Sequence, residues 1–71
     1  MTKGEYRVGL AFNPSQDPTV DIIKAMTAQL INAVEAIDNQ QNPERARLKS
    51  LAQTAYEEAA MWAVKAATWR G

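Results

Sequence analysis

Apolar side chains recur at helical spacing through the middle of the chain. Ile23, Met26, Leu30, Ala33 and Ile37 follow one another in steps of three and four, which is one seam of heptad type. Val20, Ile31 and Val34 widen that seam into a second flank. The pattern predicts a helix over 18–39, roughly 33 Å long. Asp17 is placed to cap it, Pro18 to take its first position and Asp21 to lie in its first turn. Each suits the unpaired N–H groups and the positive dipole end found there. Asn39 to Asn42 form a short polar connector, and Asn42, Pro43 and Glu44 then repeat the same start. A second helix is predicted over 43–69, roughly 40 Å long. Leu48, Leu51, Ala55, Ala59, Trp62, Ala66 and Trp69 make its seam, with Ala52, Tyr56, Ala63 and Ala67 beside it.

Two long helices with a short connector give an antiparallel hairpin. The alanines of the second helix, eight from Ala46 to Ala67, let the two backbones approach closely. One seam per helix satisfies such a hairpin, so the flanks, together with Met61, Val64, Trp62 and Trp69, are surplus. From Ala59 to Trp69 only Lys65 and Thr68 are not apolar. A helix with water along one side carries a polar stripe, and this stretch has almost none. Other copies of the same chain are the simplest cover. The expected class is all-α: an antiparallel helical hairpin with an N-terminal arm, assembled into a compact oligomer, and the whole chain 1–71 is a single helical domain.

The arm, residues 1–17, reads less clearly. Tyr6, Val8 and Leu10 alternate with Arg7 and Gly9, a short strand-like pattern with no partner strand, so an extended segment packed on the helices is expected. Phe12 to Thr19 hold two prolines, and the residue before each is pushed out of the helical region.

Composition agrees with association. A domain of this length is marginal alone. The sequence has neither Cys nor His, which excludes disulfides and thiolate metal sites and removes the commonest general base and metal ligand. No cofactor and no metal are expected. Eight Lys/Arg balance eight Asp/Glu. A coat for polymeric nucleic acid shows a basic excess, so none is expected, whereas a small anion held by a few placed cations is compatible. No apolar run reaches the roughly 18 residues of a membrane span, and MTKGEYRVGLAF lacks a signal-peptide core, so a cytoplasmic protein with no membrane partner is expected.

Candidate chemistry is sparse. Ser15, Ser50 and the threonines have no activating partner, Glu57 and Glu58 diverge by about 100° on a helix, and Asp17 and Asp21 read as cap and dipole charge. No Gly-rich phosphate loop or metal-ligand spacing occurs. The chain reads as a non-enzyme. Phe12 is either a staple for the arm or a face on which a nucleobase stacks. Lys24, the only basic residue between Arg7 and Arg45, is either a snorkelling cation or a point charge for phosphate. Asn13, Ser15 and free N–H groups at the helix start offer neutral donors beside it. Lys65 interrupts the apolar run and either reaches solvent or faces a cavity between subunits. Arg45, Arg47 and Lys49 read as solvated surface.

Phe12 to Ser15 (FNPS), Val20 to Lys24 (VDIIK) and Glu57 to Thr68 (EEAAMWAVKAAT) resemble the small phage-encoded anti-CBASS cyclic-oligonucleotide sponges, over about residues 6–69. The resemblance implies a helical protein in compact hexamers. It would bind the cyclic di- and trinucleotides of bacterial CBASS immunity in the host cytoplasm and hold them without cleaving them. It implies a cyclic dinucleotide site at Phe12, Asn13, Pro14 and Lys24, with Ser15 as an extra donor. Relatives can have Tyr at the aromatic position; Phe12 keeps the stacking face and loses the hydroxyl. The family also has separate cyclic trinucleotide sites, for which Thr27, Lys65 and Arg70 are candidates by polarity and position. The competing reading is a small helical oligomeric protein-interaction module with no nucleotide ligand, in which Phe12 is structural.

Overall fold

A computed structural model describes all 71 residues, Met1–Gly71. The fold is all-α: α1 spans Lys3–Val8, α2 Pro18–Glu35 and α3 Pro43–Thr68. Helices α2 and α3 form the hairpin, and α1 lies across α2 and touches α3.

The N-terminal segment is therefore a helix, not the extended arm expected from its alternating pattern. Its ends are locally encoded. Thr2 and Glu5 make a reciprocal capping box: the Glu5 amide donates to Thr2 Oγ1 at 3.1 Å and the Thr2 amide to Glu5 Oε1 at 2.7 Å. At the other end Gly9 takes a left-handed conformation, φ 64°. The Leu10 amide returns to Glu5 O and the Gly9 amide to Tyr6 O, a Schellman ending. A six-residue helix does not persist alone, and α2 holds this one. The Gly4 amide donates to Asn32 Oδ1 at 2.8 Å, Asn32 Nδ2 donates to Thr2 Oγ1 at 3.0 Å, and Lys3 pairs with Glu35 at 2.9 Å. A β-carbon on Gly4 would stand 2.1 Å from the Ala28 carbonyl oxygen, so glycine is required for this approach.

Helices α2 and α3 start as the sequence predicts. Asp17 accepts from the Thr19 amide at 2.9 Å, and Asn42 from the amides of Glu44 and Arg45 at 3.0 and 3.1 Å. Helix α2 stops at Glu35 instead of running to Asn39. Asp38 and Asn39 turn their side chains onto the amides of Gln40 and Gln41, an alternative to helix that short polar side chains offer the backbone. Gln40 and Gln41 follow with positive φ. No basic residue lies in the last turn of α2. Lys49 of α3 supplies one, donating to the carbonyls of Glu35 and Ile37, where a cation suits the negative helix end. Helix α3 ends at Thr68, with Trp69 already extended.

The two seams exchange roles relative to their bulk. The interior forms on the flank of α2, where Val20, Lys24, Ala28 and Ile31 are buried, together with Gly4 of α1 and Gln53 and Ala60 of α3. The seam Ile23, Met26, Leu30, Ala33 and Ile37 points largely outward; Ile23 alone is half-buried. On α3, Leu48, Leu51 and Trp62 are each more than half exposed, and so is Trp69 just beyond it. The buried set combines Val20 and Ile31 with two alanines, which allow close approach, and with polar side chains that have hydrogen-bond partners. Gln53, 2% exposed, donates to the Ile31 carbonyl at 3.2 Å and to Glu35 Oε1 at 3.0 Å. No buried side-chain polar atom lacks a partner, as interiors require.

The molecule measures 45 × 24 × 13 Å, so its short dimension is that of one helix. Its accessible surface is 5142 Å², against roughly 4,400 Å² for a compact monomer of this mass. No helix is long and apolar enough to cross a membrane.

Candidate functional site

The segment between α1 and α2 is built by side chains that fold back on it. Asn13 Nδ2 donates to the Asp17 carbonyl and to Asp21 Oδ1, both at 3.0 Å. Ser15 Oγ donates to Asn13 Oδ1 at 2.7 Å and accepts from the Asp17 amide at 3.2 Å. Gln16 takes a positive φ of 57° to close the turn. From below, Lys24 Nζ donates to the carbonyls of Gly9, at 3.0 Å, and of Phe12. Lys24 is only 8% exposed. A charge so buried is tolerated because these carbonyls receive it.

Phe12 is thereby held with its ring in solvent, 70% exposed, and the Lys24 ammonium lies 5.4 Å from the ring centroid. That distance is within the range of a cation–π contact. Around them lies an open cleft of about 310 Å³, lined by Phe12, Asn13, Pro14, Ser15, Val20 and Lys24 from one side and by Val64 and Thr68 of α3 from the other. All five residues of the expected dinucleotide site meet in it. An ammonium has three donors. Two are used on the loop, which leaves one beside the ring.

Asn13 and Ser15 sit in the cleft wall with their donors engaged inside the loop. The first amides of α2 are engaged too: Asp17 receives the Thr19 amide on its carboxylate and the Val20 amide on its carbonyl. The neutral donors expected beside Lys24 are therefore spent on loop structure. What faces the cleft is an aromatic face, a proline ring, one ammonium and the apolar surface of Val20 and Val64.

A second cleft, about 450 Å³, adjoins the first and shares Lys24 and Val64 with it. Its polar wall is Arg7, Thr54, Glu57 and Glu58. Arg7 Nε pairs with Glu57 at 2.6 Å and its terminal nitrogen donates to Thr54 Oγ1 at 3.3 Å, so this pair docks α1 onto α3.

The expected trinucleotide residues are not gathered. Thr27 donates to the Ile23 carbonyl of its own helix at 2.7 Å. Lys65 is exposed on the outward side, its ammonium 5.5 Å from the Trp62 ring and 5.8 Å from the Trp69 ring. Arg70 is exposed beyond α3. None of the three lines either cleft around Lys24. The basic residues Arg45, Arg47 and Lys49 serve local structure: Arg47 pairs with Glu44 at 2.5 Å, Arg45 donates to the Asp38 carbonyl, and Lys49 caps α2.

A family model described as Acb2/Tad1, hairpin domain, matches residues 4–68. The chain belongs to the Acb2/Tad1 hairpin-domain family. This is the family of anti-CBASS cyclic-oligonucleotide sponges, sequestering proteins rather than enzymes. No curated relative and no solved structure matches the chain. The match takes in α1, α2 and α3, so the Acb2/Tad1 hairpin includes the whole of the Phe12–Lys24 cleft.

Several cleft residues are not assigned to the site by the sequence. Val20 reads there as part of a helix flank and Val64 as surplus apolar surface. Both lack a chemical signature of their own, and Thr68 is a lone hydroxyl more than forty residues along the chain from Lys24. Arg7 does carry a signal, since a cation near the N-terminus and Glu57–Glu58 in the last helix are opposite charges. Pairing them requires knowing that α1 folds over the hairpin.

Proposed function

We propose that this chain binds and sequesters cyclic di- and trinucleotides without cleaving them, and so keeps the signal of bacterial CBASS immunity from its effector in the host cytoplasm. The observation that carries the reading is the meeting of Phe12, Pro14 and Lys24 in one open cleft, an exposed aromatic face with a positive charge beside it. A nucleobase stacks on such a face, typically for about 1–3 kcal/mol, and its phosphate is attracted by the ammonium. A cyclic dinucleotide has two bases and two phosphates about an approximate two-fold axis. Two copies of the chain related by a two-fold axis offer Phe12 and Lys24 twice. Family membership supports the sponge reading, and the outward apolar seam supports the association that brings copies together.

We take the assembly to be a hexamer. Its three-fold axis would gather Thr27, Lys65 and Arg70 from separate copies around a cyclic trinucleotide, since one chain does not bring them together. Two ligands at two kinds of axis bind without competing.

The test is incubation with a cyclic dinucleotide, removal of free ligand, heat release and chromatography. Recovery of intact ligand is expected. A linear product would mean an enzyme, and no retained ligand would mean an interaction module. Titrating a cyclic trinucleotide into dinucleotide-saturated protein should displace nothing.

A further inference from the structure

We propose that Asp21 is a positioning residue for the Phe12 cleft, acting through Asn13 and not through the ligand. The inference rests on the dinucleotide reading above and adds a residue to it. Asp21 does not line the cleft. Its Oδ1 accepts from Asn13 Nδ2 at 3.0 Å, and the same nitrogen reaches the Asp17 carbonyl at 3.0 Å. Asn13 is the residue directly after Phe12. Lys24, three positions beyond Asp21 and hence on the same side of α2, takes the carbonyls of Gly9 and Phe12. Lys24 thus ties the Phe12 backbone directly and Asp21 ties the next residue through the Asn13 side chain, and both ties come from one turn of a rigid helix. Val20, beside Asp21 on that turn, is 2% exposed and forms the cleft floor.

This arrangement makes opposite predictions for charge and for position. By Coulomb attraction alone, deleting an anion one helical turn from Lys24 should tighten the binding of an anionic ligand. If Asp21 positions the loop, deleting it should weaken binding, because a loop that must be ordered on binding costs affinity.

The experiment is calorimetric titration of a cyclic dinucleotide into the wild-type chain, Asp21→Ala, Asp21→Asn, Asn13→Ala and the Asn13→Ala/Asp21→Ala pair. Helical content is checked by circular dichroism. Asp21→Ala should bind about tenfold more weakly. Asp21→Asn keeps an acceptor oxygen and should recover most of that loss. Asn13→Ala, which also loses the bonds to the Asp17 carbonyl and the Ser15 hydroxyl, should weaken binding at least as much, and the double variant should be little worse than Asn13→Ala alone, as expected when Asp21 acts through Asn13. Amide exchange in residues 9–17 should rise in both alanine variants while the rest of α2 stays protected. Wild-type protein that binds, with Asp21→Ala equal or tighter, overturns the positioning role. Additive losses in the double variant overturn it as well. Wild-type protein that binds nothing overturns the dinucleotide reading instead. Should Asp21→Ala unfold, Asn13→Ala breaks the same bond from the loop side, and unchanged binding by that variant overturns the positioning role in its place.

Discussion

The ammonium of Lys24 donates to the main-chain carbonyl of Phe12 and lies 5.4 Å from the centroid of the same residue's ring. One side chain therefore fixes the aromatic platform and charges it. Lys24's anchoring and charge separate from the stacking face by substitution. Lys24→Met keeps the stem but removes both carbonyl partners and the charge. It should destabilise the chain by roughly 1.5–3 kcal/mol, accelerate amide exchange over residues 9–13 and reduce dinucleotide affinity. Phe12→Ala removes the stacking face alone. It should cost about 1–3 kcal/mol of binding, roughly 5- to 150-fold, with exchange over the same residues unchanged. Paired exchange and titration measurements check both.

Gly4 lies where α1 crosses α2, and its missing β-carbon makes room for the Ala28 carbonyl and Asn32 Oδ1. Gly4→Ala should push α1 away. Overpacking of this kind costs about 1–3 kcal/mol, which for a domain of this size lowers Tm by roughly 4–8 °C per kcal/mol. The strain falls between Gly4 and backbone of a rigid helix, so no rotamer change relieves it. Thermal unfolding followed by circular dichroism measures the drop. Dinucleotide binding should weaken too, because Gly9, whose carbonyl receives Lys24, is the residue that caps α1.

Parts of this fold are legible in the sequence because their signals are local. Asp17–Pro18 and Asn42–Pro43 act within one turn, and both helices start there. In the arm two local signals compete. Tyr6, Val8 and Leu10 alternate as in a strand, while Thr2 and Glu5 have capping-box spacing and Gly9 can end a helix. The caps win, because α2 supplies Asn32 and Glu35 to hold the helix and no strand is present to pair with the alternation. The choice of seam is not legible. Both faces of α2 repeat at the same period, and bulk favours Met26 and Leu30. The face of α2 that is buried is instead the one where Ala28 meets Gly4 of α1, Lys24 finds the carbonyls of Gly9 and Phe12, and the Ile31 carbonyl receives Gln53 of α3, and those partners lie far away in sequence. For the same reason the resemblance could bring Phe12, Asn13, Pro14, Ser15 and Lys24 together, but not the bonds that occupy Asn13 and Ser15.

Acid should loosen the hairpin through Glu35. The Gln53 amide first, and then Lys3, hold its carboxyl below the ordinary glutamate value, about 4.3. Arg47 lowers Glu44 in the same way, and the Thr2 backbone amide lowers Glu5. A carboxyl with a depressed folded-state pKa binds protons more readily in the unfolded chain. Its contribution is complete above the unfolded value and is lost as pH falls through the folded one. Tm should therefore be flat from neutral pH to about 5 and decline below about 4. Glu35→Gln removes one of the three titrating groups, so its decline should be shallower than that of the wild type. Melting curves collected every half unit of pH measure the two slopes.

The outward seam gives the sharpest test of assembly. Leu30, Leu51 and Trp62 are each about half exposed or more, and none belongs to the closing seam of the hairpin. Exposed apolar side chains of this size on a thin molecule favour a partner surface, since each square ångström of apolar area removed from water contributes about 25 cal/mol. Under the proposed association, Leu51→Glu buries a carboxylate at the contact between copies, which is strongly unfavourable unless it is paired. The expected result is dissociation to a monomer that keeps its helical content, because the Val20–Ile31 flank and Gln53 remain packed within each chain. Under the proposed two-fold site dinucleotide affinity should fall with it, since a monomer offers only one Phe12 and one Lys24. Sedimentation and circular dichroism on the same sample separate the outcomes. An unchanged oligomer would remove this face from the contact, and a loss of helix together with mass would mean that the hairpin does not stand without its neighbours.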